Sequence, residues 1–406
     1  MTAAPFSKPE LLAPAGDLLR AKTAILYGAD AVYLGGKKYS LRSRAGNFSM
    51  ADIREACAFA HDHGSHIHVT VNEIPHAHDL EGIEEYLHEL QECGVTAIIA
   101  ASPAIMRLAK ETTSLQVHCS TQMSITNSAA AKLLHTLTGC DRIVPGRECS
   151  LSDIRTIVKE TGLEIEVFIH GGMCVNYSGR CILSNQMTLR DANRGGCAQS
   201  CRWHYRLYEN DMERSREDAL FTMGSRDLCA ASLLYELMEA GAASFKIEGR
   251  MKTEFYVASI VRAYRSLIDD LYENHGVLSE EALMEHEREL LLAQNRETCK
   301  GNYEGIGGSE SIIYHEHTDA DVNHVFLGTV VGTFENGFIL ETRNPFSVGD
   351  VMEIMEPAQP TRRFVITEME DSETGPIEKS RVPMRHIRIQ SDCHPAIGSL
   401  VRKGIL

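Results

Sequence analysis

Eight apolar runs of six to nine residues punctuate the first 250 positions, most of them followed by a stretch whose apolar residues fall three to four apart. The runs are ELLAPAG (10–16), AVYLGG (31–36), HIHVTVN (66–72), AIIAAS (97–102), LQVHCSTQM (115–123), RIVPGRE (142–148), EIEVFIHGG (164–172) and SFKIEGR (244–250). Runs of this kind read as buried strands, and the three-to-four spacing reads as amphipathic helix. Helices are predicted over 51–63, 79–92, 152–161, 227–240 and 253–274. The phrases YGADAVYLGG, CGVTAIIAAS and AGAASFKIEGR share one grammar, a glycine that ends a helix and then a buried strand. Strand–helix units of about 30 residues, eight of them, predict a closed barrel over a doubly wound open sheet. No glycine-rich nucleotide fingerprint follows the first run, which also favours the barrel.

One unit is oversized. About 70 residues separate the seventh and eighth runs, and the helix at 227–240 leaves 173–226 as an insertion after strand seven. That insertion lies at the carboxyl end of the strands, the face that carries active sites in such barrels. Beyond 300 the texture changes, through the glycine-rich KGNYEGIGG, to short alternating strands such as HVFLGTVVGTFENGFILET. The expected fold is therefore α/β, a (β/α)8 TIM-type barrel over 1–300 with a cysteine-rich insertion at 173–226. A linker at 301–319 and a small C-terminal β-barrel domain at 320–406 complete it.

Composition adds two constraints. The formal net charge of −16 argues against a chain that coats nucleic acid or binds DNA, yet arginines gather in predicted loops: Arg42, Arg44, Arg180, Arg190, Arg194, Arg202 and Arg206. Solvated loop charge explains these as readily as a binding patch. No apolar run reaches the roughly 18 residues of a membrane span, and MTAAPFSKPE lacks the features of a secretion signal. A soluble cytoplasmic protein, without membrane partners, is expected.

The twelve cysteines then need a reason other than disulfides. Cys57, Cys93, Cys140 and Cys299 read as small hydrophobes. Cys174, Cys181, Cys197 and Cys201 sit in the insertion with six, fifteen and three residues between them. Two C-x2-C pairs of a zinc ribbon are absent, and the glycine-rich intervals suit loops around a bulky inorganic core. A 4Fe–4S cluster, structural zinc and reduced packing thiols all stay open, because thiolate sites take both metals. Cys229 is a fifth candidate, expected to substitute for Cys201 if any ligand is displaced.

Other polar residues collect at strand ends. Arg147, Glu148, Lys246, Glu248 and Arg250 are the candidate catalytic residues, with the two arginines suited to grip carboxylate or phosphate. A salt-bridge ring closing the barrel explains the same charges equally well. Asn72, His118, Gln122, His170, Tyr177 and Arg180 are the expected substrate contacts. His68, His118 and His170 could converge on a divalent metal, although a lone barrel histidine is more often a hydrogen-bonded core residue.

The stretch EVFIHGGMCVNYSGRCILS (166–184) resembles the signature of the peptidase U32 family, the collagenase-type peptidases. Glu166, Phe168, Gly171, Met173, Cys174, Gly179, Cys181, Leu183 and Ser184 fall on the pattern, with Gly172 where Ser or Ala is usual. ELLAPAGD, VTVNEIPH, GRECSL, GGCAQSCRWHY and FKIEGRMKTEFYVA extend the resemblance over residues 10 to about 265. The resemblance implies oxygen-independent hydroxylases with a 4Fe–4S cluster, acting on tRNA, ribosomal RNA or a quinone precursor. Within it, the chain is most similar to the tRNA branch, which makes 5-hydroxyuridine at the wobble position of the anticodon loop with prephenate as co-substrate and oxygen donor. Carried over residue by residue, cluster ligation falls on Cys174, Cys181, Cys197 and Cys201, while other branches use a cysteine matching Cys229. A paralogous family member as partner is compatible with it. The alternative it leaves is a U32-type peptidase, metal-assisted through the histidines.

Overall fold

The computed structural model describes residues 7–41, 47–215, 220–293, 296–305, 308 and 326–404. Arg42, Arg44 and most of the 301–319 linker lie outside the described residues.

Eight parallel strands close into a barrel. They are β1 (Glu10–Pro14), β2 (Ala31–Gly35), β3 (His66–Val71), β4 (Ala97–Ala100), β5 (Gln116–Cys119), β6 (Arg142–Ile143), β7 (Glu164–Gly172) and β8 (Ser244–Ile247). Closure is made by β8, which pairs with β1 (Leu12 opposite Lys246) and with β7 (Phe168 opposite Lys246). Helices α1 (Leu18–Leu26), α2 (Met50–Asp62), α3 (Ile83–Glu92), α4 (Pro103–Thr112), α5 (Ser128–Thr138) and α6 (Leu151–Thr161) follow the first six strands. Their ends obey local chemistry. Asp17 and Asn127 cap α1 and α5 by accepting backbone N–H groups, and Ser49 with Asp52 and Ser150 with Asp153 form reciprocal capping boxes. Between strands and helices lies one large apolar cluster built from outward-facing residues such as Leu11, Val32, Val69, Ile98, Val117, Val167 and Phe245.

Two details depart from the sequence expectations. The helix expected at 227–240 begins instead as a strand, Asp227–Cys229, which pairs antiparallel with the end of β7 and parallel with Thr298–Cys299; helix α7 covers only Leu234–Glu239. The pairing is possible because β7 runs past the barrel rim and exposes a free edge beyond β8. The register of β7 on β8 also slips, from Phe168 opposite Lys246 to His170 opposite Ile247. That bulge reverses the inside–outside alternation for everything after Ile169.

Helix α8 (Glu254–Glu273) packs on the sheet and α9 (Glu280–Leu291) packs on α8. The C-terminal domain is an eight-stranded antiparallel sheet, curled about its own core of Leu327, Val330, Phe338, Leu340, Met352, Ile354, Ile387 and Val401. It is seated on the barrel by stacked Phe255 and Phe326 rings (4.9 Å), by the Tyr27 hydroxyl donating to Met355 O (2.9 Å), and by buried Arg402 reaching Glu289 of α9 (2.7 Å). No helix among the described residues is long and apolar enough to cross a membrane.

Candidate active site

Inside the barrel the buried side chains are not all apolar. Arg142 donates to Glu10 (2.6 Å) and Glu166 (3.2 Å), and the other oxygen of Glu166 holds the Lys246 ammonium at 2.7 Å. Burial alone would push the Glu166 carboxyl up, but Lys246 and Arg142 together hold it below the usual carboxylate range. Beside this column His68 and His118 meet edge-on at 4.8 Å. Burial drops the His68 pKa to about 4 against the opposing carboxylates of Glu10 and Glu166, and takes that of His118 well below its ordinary value, with charge on His68, Arg142 and Lys246 adding to it.

Above the column, at the carboxyl ends of the strands, is a polar cavity of about 170 Å³. Asn72, Gln122, Arg147, Lys246, Glu248 and Arg250 all line it, together with Tyr33 and Phe168. Arg147, Lys246 and Arg250 face Glu248 there, and with Lys246 also held by Glu166 the balance is still one positive charge, which favours an anionic occupant. Lys246 lies over the Tyr33 and Phe168 rings at 4.6 and 5.5 Å, and Arg147 stacks on Phe168 at 3.9 Å. Arg147 also donates to Gly172 O (2.6 Å), while its Nε is buried without a partner. Arg250 is clamped by Ser40, Thr70, Leu41 O and Asn47, and Gly35 is glycine because a Cβ there would strike the Arg250 guanidinium.

A second cavity of about 560 Å³ shares Leu41, Thr121, Gln122 and Arg147 with the first and continues beneath the insertion. Cys174, Cys181, Cys197, Glu148, Tyr177 and Arg180 are among its walls. The insertion holds little regular structure and is pinned from below. Glu148 Oε1 accepts from Ser178 N (2.8 Å), Ser178 Oγ accepts from Arg147 N (3.0 Å), and Ser124 donates to Ser178 O. Glu148 Oε2 is buried and has no partner.

None of the four insertion thiols is in a disulfide, and Cys174, Cys181 and Cys197 line the larger cavity together. Burial first, then charge on Cys174, Cys197 and Cys181, push the Cys201 thiol up, with Arg202 opposing. Two sulfurs already receive N–H donors, Cys181 from Asn176 (3.1 Å) and Cys197 from Gln199 N (3.4 Å). Such donors are what sulfur ligands of iron clusters accept, so the donor set fits a thiolate-held cluster. No group of three or more His, Cys, Asp or Glu among the described residues already stands in a metal-holding arrangement.

Other expected site residues lie elsewhere. The β7 bulge turns His170 to the helix side of the sheet, where its Nδ1 meets the Tyr264 hydroxyl of α8 (3.1 Å) and burial takes its pKa down to about 3. It does not join His68 and His118, so the metal-binding triad of histidines does not assemble. His118 itself lies fully buried, outside the lining of either cavity. Cys229, opposite His170 in the added strand, also turns to Tyr264 (3.7 Å), and the thiol whose charge it feels is Cys299 rather than any of the four. The expected exchange of Cys229 for Cys201 therefore finds no support in this arrangement. Residues that pattern reading missed include Arg142 and Glu10, whose pairing depends on closure, and Asn302 and Tyr303, which fall where a linker was expected. Tyr33 had a signal, since period two in AVYLGG puts it on the face opposite Val32 and Leu34.

Comparison with known proteins follows the same outline. Over 407 residues the chain is 39% identical to tRNA hydroxylation protein P1 of Bacillus subtilis, covering 98% of this chain and 95% of that protein. It is 43% identical over 272 residues to a 23S rRNA 5-hydroxycytidine synthase of Escherichia coli, covering 66% of this chain and 41% of the relative. A collagenase of Porphyromonas gingivalis is 33% identical over 310 residues, 73% of each chain. Residues 16–312 match peptidase family U32 and residues 322–402 match the peptidase family U32 C-terminal domain, so the chain belongs to family U32.

Proposed function

We propose that this chain is an RNA hydroxylase that converts uridine to 5-hydroxyuridine at the wobble position of tRNA, with a 4Fe–4S cluster held by Cys174, Cys181, Cys197 and Cys201. One observation carries the reading: Cys174, Cys181 and Cys197 line one cavity that shares a wall with a cation-rich pocket. The hydroxylation names of two relatives support it. When bound, a thiolate-held cluster supplies electron transfer.

The chain's own residues then divide the work. The small pocket, with Arg147, Lys246 and Arg250, suits a compact dicarboxylate, and prephenate is the proposed oxygen donor. The larger cavity takes the base. Tyr177, 51% exposed at its edge, and the Arg180 guanidinium offer a stacking surface to an unstacked loop nucleotide. Hydroxylation replaces the C5–H bond of the base with a C5–O bond: the donor's C–O bond breaks, the donor carbon keeps the electron pair and gains a proton, and the C5 hydrogen leaves as a proton so that the ring recovers its double bond. Glu148 Oε2, buried and unpartnered on that cavity, is the group placed to take it.

The collagenase name of one relative favours a peptidase reading, but His170 bonded to Tyr264 leaves that reading without its third histidine. Nucleoside mass spectrometry of tRNA from cells lacking the gene, complemented by wild type or Cys174→Ser, tests the proposal. The expected result is loss of 5-hydroxyuridine derivatives, restored by wild type only. Unchanged nucleosides in the deletion would refute it. Protein isolated without air is expected to contain iron and sulfide, and zinc with neither would remove the cluster from the proposal.

A further inference from the structure

The segment that leaves the barrel for the C-terminal domain does not run free. Glu297 O accepts from Asp227 N (2.9 Å), and Thr298 and Cys299 pair with Asp227 and Leu228, extending the barrel sheet by one short strand. Gly301 then turns with φ +62°, and a side chain there would press on Leu228 and Met173. The turn delivers two residues to the wall between the cavities. Asn302 Nδ2 donates to Arg147 O (2.9 Å), and the Tyr303 hydroxyl donates to Phe168 O. Tyr303 O accepts from Leu151 N (2.9 Å), and its ring packs with Val144, Phe168, Met173 and Leu228. Asn302 also lines the larger cavity.

Arg147 and Phe168 are the stacked pair whose guanidinium and ring form part of the smaller cavity. Their carbonyls belong to different barrel segments, and one strap grips both. The Arg147 backbone is held at its N–H by Ser178 Oγ and at its carbonyl by Asn302; with the carbonyl released, the peptide can turn about the Ser178 contact and carry the guanidinium off the ring. From this we infer that Asn302 and Tyr303 are positioning residues: they lock the Arg147–Phe168 stack, and so set where an anion in the smaller cavity is gripped. The strap makes the wall between the two cavities depend on a segment that leads on toward the C-terminal domain. The inference rests on the proposed function only for what the anion does; the locking itself is a statement about Arg147.

Two single substitutions isolate it. Tyr303→Phe removes one hydroxyl, and Asn302→Ala removes one amide, each leaving the ring packing in place. In the intact protein, labelling by an arginine-selective dicarbonyl reagent is read residue by residue by peptide mass spectrometry. Labelling of Arg147 is expected to rise by about 3- to 10-fold in either variant, the scale of one lost hydrogen bond, while Arg250 stays as in wild type. In tRNA modification the apparent KM for the small anionic co-substrate is expected to rise by a similar factor, with kcat changing little and Asn302→Gln recovering part of it. Unchanged Arg147 labelling in both variants would overturn the inference. Raised Arg147 labelling in the variants, together with a wild-type protein that modifies no tRNA, would leave the locking intact and remove the proposed function instead.

Discussion

At the scale of single residues, the unusual investment is in buried ionisable groups. His68, His118 and His170 are all held neutral, chiefly by burial, with folded pKa values of about 4 for His68 and about 3 for His170 against an ordinary 6.5. Above pH 6.5 each is neutral in both folded and unfolded chains, so their stability contribution is complete. As the pH falls from 6.5 toward 4, the unfolded chain takes up the protons and the folded one does not, so stability drops through that window. A depression of the size at His68 corresponds to roughly 3 kcal/mol across the full window. Thermal unfolding followed from pH 7.5 to 4.5 is expected to show the midpoint falling most steeply below pH 6.5. His68→Gln, which fills the site without a titrating ring, is expected to flatten that slope; an unchanged slope would mean that the ring protonates in place. Glu166 has the same sign but a lower window, below the ordinary carboxylate value, because its folded pKa is depressed by Lys246 and Arg142.

At the scale of elements, the site depends on how one irregular insertion docks on a regular barrel. Gly179 marks the contact. Its φ is +73°, and a side chain there would run into the Gln122 backbone of the loop after β5. Gly179→Ala is therefore expected to lift the Cys174–Cys181 loop off the barrel while the core, which it does not touch, keeps its melting temperature within about 2 °C. Iron content after anaerobic isolation checks this, and full iron loading in the variant would show that the thiols gather without that contact. The barrel was legible because each strand is a contiguous apolar run and each helix has its own caps; neither depends on distant residues. The cysteine grouping was legible in part, as spacing on a single loop. Three features were not. The β7 bulge that removes His170 from the mouth is a pairing slip with no local residue signal. The strand at Asp227–Cys229 looks helical in sequence because its apolar residues run on into α7. Asn302 and Tyr303 act through backbone carbonyls of residues more than 100 positions earlier, which no periodicity records.

At the scale of the whole molecule, the proposed function asks a chain with net charge −16 to hold a polyanion, which sets a physical limit on how it can do so. Most cations are already committed. Arg194 is paired with Glu73 and Asp79, Arg206 with Glu213, and Arg214 with Glu209. Arg180 and Arg190 on the insertion are exposed and have no ion pair among the described residues. Leu189, next to Arg190 in the chain, is 94% exposed with φ +58°, an apolar side chain held out in solvent by a left-handed backbone. Recognition built on two guanidiniums without ion pairs, Arg180 bonded only to the Ser124 hydroxyl among the described residues, and on exposed apolar contacts releases few counterions. The log–log dependence of tRNA affinity on salt is therefore expected to have a shallow slope, about −1.5 to −2, where a protein making many phosphate contacts gives a far steeper one. Each of Arg180→Ala and Arg190→Ala is expected to reduce its magnitude by about one, whereas Leu189→Ser is expected to weaken binding equally at every salt concentration. Titration of a fluorescent anticodon stem–loop at several salt concentrations reads all three slopes. A steep slope unmoved by either arginine would place the RNA on another face of the molecule, and the insertion would then serve the cysteine site alone.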